Sequence, residues 1–290
     1  MTRAIALGAF DGLHAAHMAV LEAAARQDGY APAVLLFDEH PLRYLKGSAP
    51  PRLLTDEDRD AMLRAMGLEI LKISFEEIMR YAPRRFVEEI LLERLAAGAL
   101  YCGFDYHYGL RGTGDAGLLR QLCEEYGIAL TVVPRVEYRG AAVSSTRIRD
   151  ALAAGEVEDA GAMLGRPFGY AFEVAQGERV GRGLGAPTIN QAFAPGFAVP
   201  RYGVYASQAF VEEQWWASVT NIGLRPTRAD RLLQARSETH IIGFAGDLYG
   251  QRVPVRLLRF LRPERKFGSL EELREQIGRD VAAGRQLTDS

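Results

Sequence analysis

The chain has 290 residues, 48% of them apolar and 25% charged, an ordinary globular composition long enough for about two domains of common size. Its formal charge of −2 supplies no global basic field for nucleic acid or an anionic membrane. The two cysteines, Cys102 and Cys123, are too few for a disulfide framework and match no metal-site spacing, so reduced core thiols and a cytoplasmic location are expected. Residues 4–9 are an apolar run of strand length, too short for a signal sequence or a membrane span. The turn Gly8-Ala9-Phe10-Asp11-Gly12 interrupts it, and residues 17–26, rich in Ala, read as a helix. Residues 33–37 are a second strand. Thr55 is placed to N-cap a helix carrying Met62, Leu63 and Met66. Pro83 opens another, with Phe86, Val87, Ile90, Leu91 and Leu95 on one face. A strand over 99–103, a Gly-rich loop, a helix through Leu118, Leu119 and Leu122, and a strand over 128–133 follow. Short buried strands alternating with helices imply a parallel sheet covered on both faces.

After Gly165-Arg166-Pro167 the pattern changes. Tyr170, Phe172 and Val174 alternate with period two, as do parts of 204–210 and 216–219, and 253–257 is β-rich. With its many Gly and Pro residues, this half reads as an antiparallel β domain, a small barrel. Ser269 caps a last helix with the apolar stripe Leu270, Leu273, Ile277 and Val281. The domain boundary falls near residue 166, dividing the chain into 1–166 and 167–290.

Three segments carry chemistry. Residues 8–17 stand where the first strand hands over to the first helix, the place where parallel α/β sheets bind ligands and helix N-termini bind phosphate. His14 and His17 there can donate hydrogen bonds to a reacting phosphate. Two chance surface histidines would look the same in isolation, and no third ligand stands at metalloprotease spacing for zinc. Ser144, Ser145, Thr146, Arg147 and Arg149 gather hydroxyls and guanidinium groups at a helix start, which suits a triphosphate as well as an ordinary capped surface helix. Residues 177–190 hold Gly177, Gly181, Gly183 and Gly185, too many for a helix or a regular strand. Such a loop lets backbone approach phosphate closely. Thr188 and Asn190 then offer hard oxygen ligands suited to Mg²⁺ shared with ATP. Glu238 and His240 share one face of a strand, and Glu238 is a candidate general base.

Gly-x-Phe-Asp-x-x-His-x-x-His with the late Ser-Ser-Thr-x-x-Arg resembles the nucleotidyltransferase domain of bacterial bifunctional riboflavin kinase/FAD synthetases. That resemblance implies that His14 and His17 stabilise charge on the phosphate under attack. It also implies that Asp11, Ser145, Thr146 and Arg149 grip the nucleotide, with Asp105 near nucleotide and flavin. The chain departs from the pattern at Ala16 (usually Gly), Glu39 (usually Pro), His107 (commonly Arg) and Ala142 (often Arg). Glu39 would add negative charge beside the anion site.

The second half is closer. Gly-x-x-x-Gly-Arg-x-Leu-Gly-x-Pro-Thr-x-Asn, Asn221-Ile222-Gly223-Leu224-Arg225-Pro226-Thr227, Glu238-Thr239-His240, Gly246-Asp247-Leu248-Tyr249-Gly250 and Arg-x-Glu-x-Lys-Phe occur in the order found in riboflavin kinase domains. The two resemblances imply an α/β Rossmann-like nucleotidyltransferase domain followed by a six-stranded antiparallel β-barrel with a C-terminal helix. They further imply ATP phosphates on Gly177, Gly181, Arg182 and Gly185, Mg²⁺ on Thr188 and Asn190, and Glu238 as the base for the ribityl hydroxyl. The expected function is riboflavin to FMN to FAD, with ATP, Mg²⁺ and flavins as small-molecule partners, and a monomer or weak homo-oligomer. A kinase with a vestigial transferase domain, or a non-catalytic flavin-binding regulator, are the alternatives.

Overall fold

The computed structural model describes residues 2–175, 187–226 and 233–287. The chain divides into two compact units, Met1–Ser145 and Thr146–Ser290.

The first unit runs β1 (Arg3–Leu7), α1 (Ala15–Ala25), β2 (Ala31–Phe37), α2 (Pro41–Lys46), α3 (Asp56–Ala65), β3 (Glu69–Ile73) and α4 (Phe75–Ile78). Next come α5 (Pro83–Arg85), which continues into a π-helical stretch Phe86–Arg94, then β4 (Ala97–Gly103), a ribbon of β5 (His107–Tyr108) and β6 (Gly114–Asp115), α6 (Ala116–Tyr126), β7 (Ala129–Val133) and a ribbon of β8 (Glu137–Tyr138) and β9 (Ala141–Ala142). The main sheet is parallel, in the order β3-β2-β1-β4-β7. Alternation in β1 explains why both faces are covered. Ile5 and Leu7 pack with Val87, Ile90 and Leu119, while Ala4 and Ala6 pack with Leu21, Ala24 and Leu63. Thr55 caps α3 by accepting the Asp58 N–H at 3.1 Å, as its position predicts. Helix α1 starts earlier than the expected residue 17, because the His14 imidazole is itself the N-cap. Strand β3 is an addition to the expected elements and carries no clear apolar alternation; it lies at the sheet edge, and Glu69 ion-pairs with Arg3 at 2.8 Å. Cys102 and Cys123 are buried and free, and burial pushes their thiols up to about 12 and about 11.

The second unit contains α7 (Ser145–Ala154), α8 (Val157–Leu164), β10 (Gly169–Ala175), β11 (Thr188–Ala192), β12 (Gly203–Val211), β13 (Gln214–Pro226), β14 (Leu233–Ile241), β15 (Arg252–Arg262) and α9 (Leu270–Gln286). The six strands form a closed barrel in the order β10-β11-β14-β13-β12-β15, antiparallel at every pair. Its interior is partly polar and hydrogen-bonded: Ser207, Thr220 and Thr239 link through their hydroxyls at 2.8 Å each. The buried Gln191 amide donates to the carbonyls of Phe172 and Val253 at 2.6 and 2.8 Å, adding bonds where β10 and β11 pair over only two residue positions. Buried hydrogen bonds of this kind fix register as well as contributing stability, although the Gln191 Oε1 itself has no hydrogen-bond partner among the described residues.

Ser269 caps α9 by accepting the Glu272 N–H at 3.2 Å. The apolar stripe is not the buried side of this helix. Leu270 is 66% exposed, and Leu273, Ile277 and Val281 line a cavity. The buried positions of α9 are Gln276, Asp280 and Gly284. Gly284 permits close approach, since a Cβ there would lie 3.0 Å from a methyl of Val219. Asp280 receives both Nε (3.1 Å) and Nη2 (2.8 Å) of Arg262, and Gln276 donates to it at 2.8 Å. Removing one partner of a buried pair strands the other charge, so Asp280→Ala is expected to destabilise the barrel unit by about 3–5 kcal/mol, read from urea unfolding.

Candidate active sites

The first site lies at the carboxyl ends of the parallel strands, at the switch point between β1 and β4. The turn after β1 bends sharply: Phe10, Gly12 and Leu13 all have positive φ, at 49°, 80° and 44°. Left-handed backbone at non-glycine residues costs about 1–3 kcal/mol each and clusters at functional sites. The turn is held by the full burial of Phe10 and Leu13. It is also pinned by Asp11, whose Oδ1 accepts the Leu53 N–H at 3.1 Å and whose carbonyl accepts from Ser145 Oγ at 3.0 Å. Its product is a histidine pair. His14 Nδ1 accepts the His17 N–H at 3.3 Å, which leaves the His14 ring proton on Nε2. The two rings stack at 3.6 Å and 15°, and Phe10 meets His17 edge-on at 5.3 Å.

Burial, and secondarily the neighbouring His14, hold the His17 pKa well below its ordinary value. His17 is therefore a neutral imidazole at neutral pH, acting by hydrogen bonding. The unfolded chain takes up a proton near pH 6.5 while the folded site resists it, so stability is lost as pH falls below that value. His17→Gln should flatten this loss, measured by urea unfolding at about pH 7.5 and about pH 5.5.

The histidines open onto a cavity of about 520 Å³, within the usual range for small-molecule sites. Phe37, Phe75 and Phe104 give it an aromatic wall, and Asp105, Ser144 and Ser145 reach it. Asp105 is tied through its carbonyl to His107 Nδ1 at 2.8 Å. Arg111 is the only arginine or lysine on this wall among the described residues, and its backbone is strained at φ 54°. No motif or local pattern marks its place on that wall. Ala16 lines the cavity too. Asp11 does not: it lines a side crevice with Glu39, and Glu39 is 3.7 Å from Arg43, so its charge is paired. Thr146 and Arg149 lie in the first turns of α7, in the second unit.

The second site is on the outer face of the barrel. Asn190 and Glu238 are opposite one another across β11 and β14, as are Thr188 and His240, and Asn221 is opposite Glu238 across β13 and β14. Alternation sends Thr239 and Thr220 inward, fully buried, and these five outward. Glu238 and His240 thus share a face as expected. Two cavities meet here. One, about 320 Å³, is lined by Thr188, Asn190, Phe244, Asp247 and Tyr249. Its turn is closed by Asp247 Oδ1, which accepts the Tyr249 N–H at 3.0 Å. The other, about 350 Å³, is lined by Thr188, Glu238, His240, Phe267 and, from α9, Leu273, Ile277 and Val281. Thr188 belongs to both. Arg262 and Arg265 lie over the Phe267 ring at 5.7 and 4.6 Å. Gly177, Gly181, Arg182 and Gly185 lie outside the described residues, as does Thr227.

A family model for riboflavin kinase matches residues 164–288, and one for FAD synthetase matches residues 1–147. The bifunctional riboflavin kinase/FMN adenylyltransferase of Pseudomonas fluorescens is 36% identical, over 97% of this chain and 91% of its own length. The chain belongs to the bifunctional riboflavin kinase/FMN adenylyltransferase family. The family's members in Escherichia coli (strain K12) and Bacillus subtilis (strain 168) are 33% and 32% identical, over 98% and 95% of this chain and 92% and 89% of their own lengths. The solved structure of a macrolide-efflux protein from Streptococcus pneumoniae matches with a TM-score of 0.88 at 29% identity, covering 98% of this chain and 94% of that one. Among the described residues, no helix is long and apolar enough to cross a membrane.

Proposed function

We propose that this chain phosphorylates riboflavin to FMN in its barrel domain, taken as residues 167–290, and joins FMN to AMP in its α/β domain, making FAD. The observation that carries the kinase reading is the position of Thr188, between a cavity edged by Asn190, Asp247 and Tyr249 and one edged by Glu238 and Phe267. A nucleotide in the first and a flavin in the second would bring a terminal phosphate and a ribityl hydroxyl together beside Glu238. Glu238 accepts the hydroxyl proton as that oxygen attacks the γ-phosphorus, and the bond to the departing ADP breaks. Phosphoryl transfer of this kind needs positioning and charge neutralisation more than covalent help.

The donors present fit Mg²⁺. Thr188 and Asn190 put a hydroxyl and an amide oxygen on one strand face, hard ligands that leave the remaining positions to phosphate and water. When bound, the ion would neutralise phosphate charge.

In the α/β domain, an FMN phosphate oxygen attacks the α-phosphorus of ATP and pyrophosphate leaves. The His14–His17 stack donates hydrogen bonds where negative charge builds up, the aromatic wall takes the flavin ring, and Arg111 faces the phosphate that distinguishes FMN from riboflavin. Chromatography of flavins after incubation with riboflavin, ATP and Mg²⁺ tests both steps. FAD is the expected product. Accumulation of FMN alone would reduce the α/β domain to a vestige, with Ala16 the first suspect, and unchanged riboflavin would reject both activities.

A further inference from the structure

Two sequence runs with no assigned role meet at one carboxylate. Asn221, Gly223 and Arg225 are alternate residues of β13 and share its outer face. Asn221 Nδ2 and Arg225 Nη2 both donate to Glu264 Oε1, at 3.2 Å each. Gly223 forms the floor beneath it: a Cβ there would lie 2.5 Å from that oxygen. Arg225 Nη1 is held by the Leu224 carbonyl at 3.0 Å. The remaining nitrogen, Nε, donates to Glu238 Oε1 at 3.1 Å.

We propose that Glu264, seated over Gly223, and Arg225 are positioning residues that aim the Glu238 carboxylate at the flavin hydroxyl. This rests on the reading of Glu238 as the base. Arg225 is the only side chain hydrogen-bonded to Glu238 among the described residues. The other charged side chains around the cavity are engaged elsewhere. Arg262 pairs with Asp280, Arg265 donates to Gln276, and His240 bonds the Pro187 carbonyl. By holding Oε1, Arg225 leaves Oε2 for the substrate. A long guanidinium side chain needs its own anchor to do this, because a loose first partner leaves a catalytic group misplaced. An ordinary exposed ion pair would be worth about 0–1 kcal/mol and would not alter chemistry. Three groups of one strand face arranged around Glu264 are more than such a pair requires.

The test is steady-state kinase kinetics on the full chain. Glu264→Ala and Gly223→Ala should each lower kcat by about ten- to a hundredfold, with KM for riboflavin and ATP within about twofold. Gly223→Ala displaces the carboxylate without removing any charge. Glu264→Gln keeps an acceptor for Asn221 and Arg225 and should recover most of the lost rate. In a Glu238→Ala background, Glu264→Ala should lower the residual kcat no further, because there is nothing left to aim. Equal factors in both backgrounds, an effect confined to KM, or an unchanged kcat would overturn the positioning role while leaving Glu238 as the base. If Glu238→Ala alone retains the full rate, the base assignment falls and the positioning role falls with it. FMN adenylylation by the same preparations reports that each variant chain is folded in its other domain.

Discussion

Glu238→Ala is expected to cut FMN formation from riboflavin by about 10²–10⁴-fold, the usual contribution of a positioned general base. FAD formation from supplied FMN should continue at its normal rate. The reason for so large an effect is spatial. Glu238 stands opposite Asn190 on one side and Asn221 on the other, and no other carboxylate of this outer-face group is placed to replace it. Glu264 and Asp280 line the same cavity, but Glu264 is seated by Asn221 and Arg225, and Asp280 is locked to Arg262. Removing Glu238 also releases Arg225 Nε, so riboflavin binding must be measured alongside rate. A fall in kcat with little change in KM marks loss of a transition-state interaction. A kinase rate that survives the substitution would show that the hydroxyl is deprotonated elsewhere.

The second large effect is expected in the other domain. Loss of either imidazole should slow FMN adenylylation by about 10²–10³-fold, or about 3–4 kcal/mol, as for a donor aimed at developing negative charge. His14 also caps α1, and an alanine there would cost about 1 kcal/mol of helix stability in addition. His14→Ser separates these roles, because serine caps well and carries no ring. If His14→Ser adenylylates FMN at the normal rate, the histidine is a structural cap. Because His17 is held neutral by burial, the rate should not climb with acid as the ordinary histidine range is crossed. A rise in rate toward acid would show that the charged imidazolium acts.

Several of these features were legible in the sequence for local reasons. Thr55 and Ser269 could be read as caps because an N-cap is a contact within a few residues. That Glu238 and His240 share one face, opposite Thr239, followed from the period of a strand, while the burial of Thr239 shows which face is inward. The stripe on α9 was legible as an apolar face, but helical periodicity does not say whether such a face meets a core or a cavity, and here Leu273, Ile277 and Val281 line a cavity. What anchors that helix is Asp280 and Gln276, whose partners no helical periodicity reveals. Glu39 looked like a misplaced charge in the one-dimensional motif and proved to be paired with Arg43 along the chain.

By itself, then, the sequence determined most strands and most helices, their caps, and the two sets of residue types suited to phosphate chemistry. These depend on neighbours a few positions away, where the chain's own geometry sets the distance. Only the tertiary structure decided that Asn190, Glu238 and Asn221 stand in one row, because register across three strands is fixed by closure of the barrel. It likewise decided that Arg225 joins Glu238 to Glu264, 39 residues along the chain from it, and that the His14–His17 stack faces an aromatic wall supplied by β2, α4 and the residue after β4. Contacts of that range come from packing the whole domain, which orders distant side chains that share no local pattern.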